Sequence, residues 1–139
     1  MNVHYITFRA SVHATESDDR VKTALSLFLF DNEISETKTE GHFGNPITLL
    51  QGQIKGKDCT RSINLIKSSL SEHELERLRN EHCERIDNEC CLHIRFDKQA
   101  AFKGKVNLAK TTDTITAKIK LKVYPANYEK ALEAANRLF

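Results

Sequence analysis

Residues 115–123, ITAKIKLKV, constrain this chain more than any other stretch. Ile115, Ala117, Ile119, Leu121 and Val123 alternate with Thr116, Lys118, Lys120 and Lys122. A period of two over nine residues specifies a strand with one buried side and one wet side. The lysines then have two readings. On an edge strand they would guard against unwanted pairing. On the side of the sheet away from the helices they would make a cationic face suited to a polyanion.

The rest of the chain supplies partners for this strand. Val3 to His13 alternates in the same way, with Ile6, Phe8, Ala10 and Val12 on one side and Tyr5, Thr7, Arg9 and Ser11 on the other. Thr15, followed by Glu16, Asp18 and Asp19, predicts a helix N-cap with acidic residues in its first turn. Val21, Ala24, Leu25, Phe28 and Leu29 then recur at the spacing of one buried helix face. Asp31–Asn32 ends that helix. Strands are predicted over 34–40 and 47–55, joined by the glycine-rich EGHFGNP loop. Cys59, Ile63, Ile66 and Leu70 stripe the next helix. Ser71 and Glu74 have capping-box spacing and start another, carrying Leu75, Leu78, His82 and Ile86. Residues 91–97 alternate again, with Leu92, Ile94 and Phe96 inward. Tyr124–Pro125 stops the lysine strand, and Tyr128, Ala131, Leu132, Ala135 and Leu138 line a final helix.

The predicted order is β-α-β-β-α-α-β-β-α. It describes an α+β two-layer sandwich, with a mainly antiparallel five-stranded sheet and helices on one face. With 139 residues and neither repeats nor a linker, the expectation is one domain, residues 1–139. No apolar run approaches the roughly 18 residues of a membrane span. The start, MNVHYITFRASV, lacks the basic-then-apolar order of a secretory signal. The expected location is therefore cytoplasmic. The four cysteines, at 59, 83, 90 and 91, are expected as reduced thiols.

Charge is uneven. Residues 1–90 hold 11 Lys and Arg against 15 Asp and Glu, whereas residues 91–139 hold 10 against 4. With the apolar sides of the strands turned to the helices, the opposite sides gather Tyr5, Thr7, Arg9, His93, Arg95, Lys118, Lys120 and Lys122 on one surface. Cations neutralise phosphates there and Tyr5 offers a stacking ring. The glycine loop follows a helix and joins two strands, as in the first part of a double-stranded-RNA-binding domain. His42 and Asn45 would then meet ribose 2′-hydroxyls, with Phe43 beside them. The helices over 57–89 depart from that module. His82, Cys83, Cys90, Cys91 and His93 cluster in sequence, but neighbouring cysteines on a strand point apart, so ordinary thiols are favoured over a metal site. Glu40, His42 and Asp97 are weak candidates for acid–base chemistry, and no recognised catalytic motif frames them.

EGHFGNPI (40–47), RIDNECCLHIRFDKQAAFKG (85–104) and KVYPANYEKALEAA (122–135), with HATESDDRV at 13–21, resemble an archaeal family of predicted exosome subunits and RNA-binding proteins. The resemblance covers essentially the whole chain. It implies a fold similar to the ribosomal protein that binds 5S ribosomal RNA, no cofactor and no assigned catalysis. The expected protein is a non-enzymatic RNA-binding accessory module acting with the exosome or ribosomal-RNA processing. His42, Phe43 and Asn45 would touch RNA from the loop. Lys98, Lys103, Lys118, Lys120 and Lys122 would contact phosphates, with Arg9 and Arg95 stacking or pairing bidentately. The rival expectation is a protein-interaction or scaffold subunit, a homodimer or complex component, in which the cations are incidental.

Overall fold

A computed structural model describes residues 3–13, 16–40, 44 and 46–139. The elements run β1 (Val3–Val12), α1 (Asp18–Leu29), β2 (Ser35–Glu40), β3 (Pro46–Lys55), α2 (Lys57–Ser69), α3 (Glu72–Arg85), β4 (Cys91–Asp97), α4 (Lys98–Phe102), β5 (Thr114–Leu121) and α5 (Tyr128–Leu138). The sheet is antiparallel throughout, in the order β2-β3-β1-β5-β4. This is the α+β architecture that the alternation predicts, with one helix more.

The register turns every apolar series to the same side. Ile6 pairs with Ile54 and Ile119, Phe8 with Gly52 and Ala117, and Ala10 with Leu50 and Ile115. Leu92, Ile94 and Phe96 continue these rows into β4. The helices cover that side and form one core with it. At its centre Phe28 of α1 stacks on Phe8, centroids 5.0 Å apart, and on Phe96, 4.9 Å away. All three rings are fully buried, each contributing about 1.5–3 kcal/mol by burial. Gly52 lets α1 settle closely on β3. A Cβ there would lie 2.5 Å from Leu29 Cδ1 and 3.1 Å from the Glu33 carbonyl oxygen.

The capping box is formed: Ser71 Oγ accepts from the Glu74 N–H, and the Glu74 carboxylate accepts from the Ser71 N–H. Glu74 reaches further, accepting the Leu108 N–H at 2.8 Å. That bond holds the segment after α4 along the outer edge of β4, where Asp97 N–H donates to Asn107 and Ala109 N–H to Arg95. On the far side of α3, His82 is fully buried against α5. Its Nδ1–H donates to Asn136 Oδ1 at 2.9 Å, while Nε2 is buried without a partner among the described residues. Burial holds the His82 pKa below its ordinary value of 6.5, against the opposing pull of the Asn136 bond.

Three expectations change. The first helix begins at Asp18 with Ser17 at its N-cap position and no side-chain cap bond, and the expected cap Thr15 lies outside the described residues. Glu16 stays outside the helix because its carboxylate accepts the His13 N–H and the Lys98 ammonium. The last strand ends at Leu121, leaving Lys122 just beyond it. Residues 98–102, expected as connection, form α4, whose N-cap Asp97 accepts the Ala100 N–H. No helix among the described residues is long and apolar enough to cross a membrane.

Candidate nucleic-acid interface

No helix among the described residues covers the other side of the sheet, and the strand register fixes what it displays. One row runs Lys120, Tyr5, Lys55 from β5 to β3, with the fully buried Cys91 of β4 in register at its end. The next runs His93, Lys118, Thr7, Gln53, and the third Arg95, Thr116, Arg9, Gln51, with Ser35 of β2 beyond. Tyr5, Thr7, Arg9, Gln51, Gln53 and Lys118 surround a shallow depression at its middle.

This arrangement decides between the two readings of the lysine strand. β5 lies between β1 and β4 and is hydrogen-bonded on both sides. Its lysines therefore guard no edge; they stand on an inner strand of an open face. Short polar pairs order the surface around them. Arg9 donates to Gln51 Oε1 at 3.1 Å, and Gln53 donates to Thr7 Oγ1 at 3.3 Å. Arg95 and Lys55 have no ion-pair partner among the described residues, so their charges are available.

The β4 end of the face is closed by the 87–90 turn. Asp87 Oδ1 accepts the N–H groups of Glu89 and Cys91, and Oδ2 accepts His93 Nε2 at 2.7 Å. Burial alone would raise the Asp87 carboxyl, but these hydrogen bonds outweigh it and hold the pKa below the ordinary 3.8. Glu89 lies beside the lysines. Its carboxylate is 3.7 Å from Lys118 Nζ, and its carbonyl oxygen accepts from Lys120 Nζ. With a side chain 72% exposed, Glu89 is a loose counterion that a phosphate can replace.

Of the residues expected to bind, Arg9, Arg95, Lys118 and Lys120 share this face, and Lys122 follows it directly. Lys103 is exposed at the C-cap of α4, at the opposite, Asp97 end of the sheet. Lys98 is a correction. It is 2% exposed, and its ammonium lies 2.9 Å from Glu16, 2.7 Å from Asp113 and 2.9 Å from the Ser11 carbonyl oxygen. A lysine so enclosed ties α4 to β1 and cannot reach a phosphate. The same ammonium supplies the cation for the acidic pair beside His13, a grouping of metal-ligand residue types. His42, Phe43 and Asn45 lie outside the described residues; of the loop around them, Gly44 has φ +73°. All four cysteines are free thiols.

Sequence reading missed Gln51, Gln53 and Lys55. Their alternation with Leu50, Gly52 and Ile54 carried the same signal as the lysine strand, weakened by the glycine.

A face that is cationic at its centre, amide- and hydroxyl-rich around it and poor in aromatic rings suits a phosphate backbone better than a run of stacked bases. The family model described as RNA binding matches residues 5–121, which spans β1 through β5 and so includes the whole open face. The chain belongs to that family. The RNA-binding protein PAB1135 of Pyrococcus abyssi is 33% identical to it over 142 residues, covering 96% of this chain and 92% of the relative. Among solved structures, protein AF2318 from Archaeglobus fulgidus superposes with a TM-score of 0.90 at 33% identity, over 99% of both chains. Mth689 from Methanothermobacter thermautotrophicus follows at 0.85 and 28% identity, over 99% of this chain and 98% of its own.

Proposed function

We propose that this protein binds RNA without chemistry, laying the phosphate backbone across the open face of its sheet. The observation that carries the reading is the inner position of β5, which leaves Lys118 and Lys120 on an open face with no edge to guard. Arg9, Arg95, Lys55 and Lys122 extend the positive charge around them. Membership of a family named for RNA binding and not for a reaction supports the same conclusion. His42, Phe43 and Asn45 in the glycine loop, with Lys103 at the rim, are proposed as secondary contacts.

RNA retention measured against salt tests this. Each phosphate neutralised contributes about 0.7–0.9 to the slope of log affinity on log salt, so a face using four cations gives a slope near −3. The Lys118→Glu, Lys120→Glu double variant is expected to lose RNA binding while keeping its thermal midpoint. Undiminished binding in that variant would remove the sheet face from the proposal. The finer reading, an accessory role with the exosome or in ribosomal-RNA processing on a fold akin to the 5S-rRNA-binding ribosomal protein, predicts that such machinery copurifies with the tagged protein from its own cells. A homodimer or scaffold role predicts copurifying protein that survives ribonuclease and the double charge reversal.

A further inference from the structure

Tyr124 is 95% exposed, and its hydroxyl has no partner among the described residues. A singly exposed ring is ordinary on a protein surface; its surroundings set this one apart. Tyr128, four residues on and 44% exposed, donates its hydroxyl to the Cys83 carbonyl oxygen at 2.7 Å and so helps to seat α5 on α3. Tyr124 makes no such contact. It stands three residues past Leu121, within about 11 Å of the end of β5 even in a fully extended chain. That is the end of the open face where Lys120 pairs with Tyr5 and where Lys122 continues the basic series. Pro125 directly behind it narrows the backbone freedom of Tyr124, so the ring is presented from a restricted base.

The open face itself is poorly built for stacking. Among the described residues of its rows the only aromatic side chains are Tyr5, half-buried between Lys120 and Lys55, and the His93 ring, already bonded to Asp87. The surface therefore holds backbone, and a base needs a ring elsewhere. We propose that Tyr124 stacks on one unpaired base at the end of an RNA duplex whose phosphates lie along Lys118, Lys120 and Lys122. This rests on the RNA reading above and specifies its ligand: structured RNA with a terminal unpaired nucleotide. Stacking on an aromatic side chain is sequence-tolerant, since every base has a π-face. The contact selects for the unpaired state of the nucleotide and not for its identity.

The test uses one RNA hairpin, blunt or carrying a single 3′ unpaired adenosine, with the intact protein, Tyr124→Ala and Tyr124→Phe. The intact protein is expected to bind the overhanging hairpin about tenfold more tightly than the blunt one. Tyr124→Ala should bind both as the intact protein binds the blunt hairpin, and Tyr124→Phe should keep the preference. The chain has three tyrosines and no tryptophan, so its emission reports on few rings. Quenching by the overhang should be clear in the intact protein and nearly absent in Tyr124→Ala. Equal affinity of the intact protein for both hairpins, or a preference that survives Tyr124→Ala, overturns the stacking role and leaves the sheet-face reading standing. Failure of the intact protein to bind either hairpin at low salt overturns both.

Discussion

The two sides of one sheet are built from the same ten-residue strand, β1, and differ in almost every physical respect. Toward the helices, Ile6, Phe8, Ala10 and Val12 are buried and set stability. Away from them, Tyr5, Thr7 and Arg9 lie on the side that no described helix covers and belong to the proposed binding face. Lysine shows the contrast most sharply. Lys98 is enclosed by Glu16 and Asp113 and acts as a strut, whereas among the described residues Lys118 has only the exposed Glu89 as counterion and Lys120 touches that residue's carbonyl oxygen alone. The same side chain is architecture in one place and a lightly paired charge on an open face in the other, and the neighbouring carboxylates make the difference.

Substitutions on the two sides should accordingly move different observables. The largest effect is expected from Phe28→Ala, which removes the ring between Phe8 and Phe96 and should cost about 3–5 kcal/mol in denaturant titration. Lys98→Met should cost about 1–3 kcal/mol, discounted because both carboxylates it abandons reach solvent. Its salt slope for RNA should match that of the intact protein. A reduced slope would show that Lys98 belongs with the open face after all. Gly52→Ala should cost a similar 1–3 kcal/mol, since Leu29 and the Glu33 carbonyl block the new methyl.

Acid separates the sides as well. The buried His82 ring is favoured neutral in the fold, so its contribution is complete above the unfolded value of 6.5 and is lost as pH falls toward the lower folded value. Arg79 and Arg85 nearby add to the cost of protonation. Denaturant midpoints should decline from pH 6.5 to 5, and His82→Leu should flatten that decline. The depressed carboxyls of Asp87 and Asp113 act at lower pH, losing their contribution only as pH falls below the ordinary carboxylate range. The smallest effect is expected on the open side. Glu89→Gln, by freeing Lys118, should tighten RNA binding about two- to threefold at unchanged stability.

The closed side was largely legible in the sequence, because burial leaves a period. The alternation of β1, β4 and β5, the stripe of α1 and the Ser71–Glu74 box are all local signals. The open side was only half legible. Which strands neighbour β5 is a long-range fact, and with it went the choice between edge guard and binding face. Lys98 was misread for a related reason: Glu16 lies 82 residues before it, and a five-residue helix shows no period that would mark Lys98 as inward-facing. Gln51, Gln53 and Lys55 were visible as alternation but gained meaning only from their register with β1.

Glu74 joins these regions in a way that bears on the fate of the chain in a crowded cell. Its carboxylate caps α3 and also secures the strip over β4. Without it the strip rests on the Asp97–Asn107 and Ala109–Arg95 backbone bonds and the Arg77 contact with the Ala109 carbonyl oxygen, a weaker screen between the CLHIRFD strand and other copies. Glu74→Ala should therefore still fold but aggregate faster on standing, a hazard that this side chain helps to keep in check.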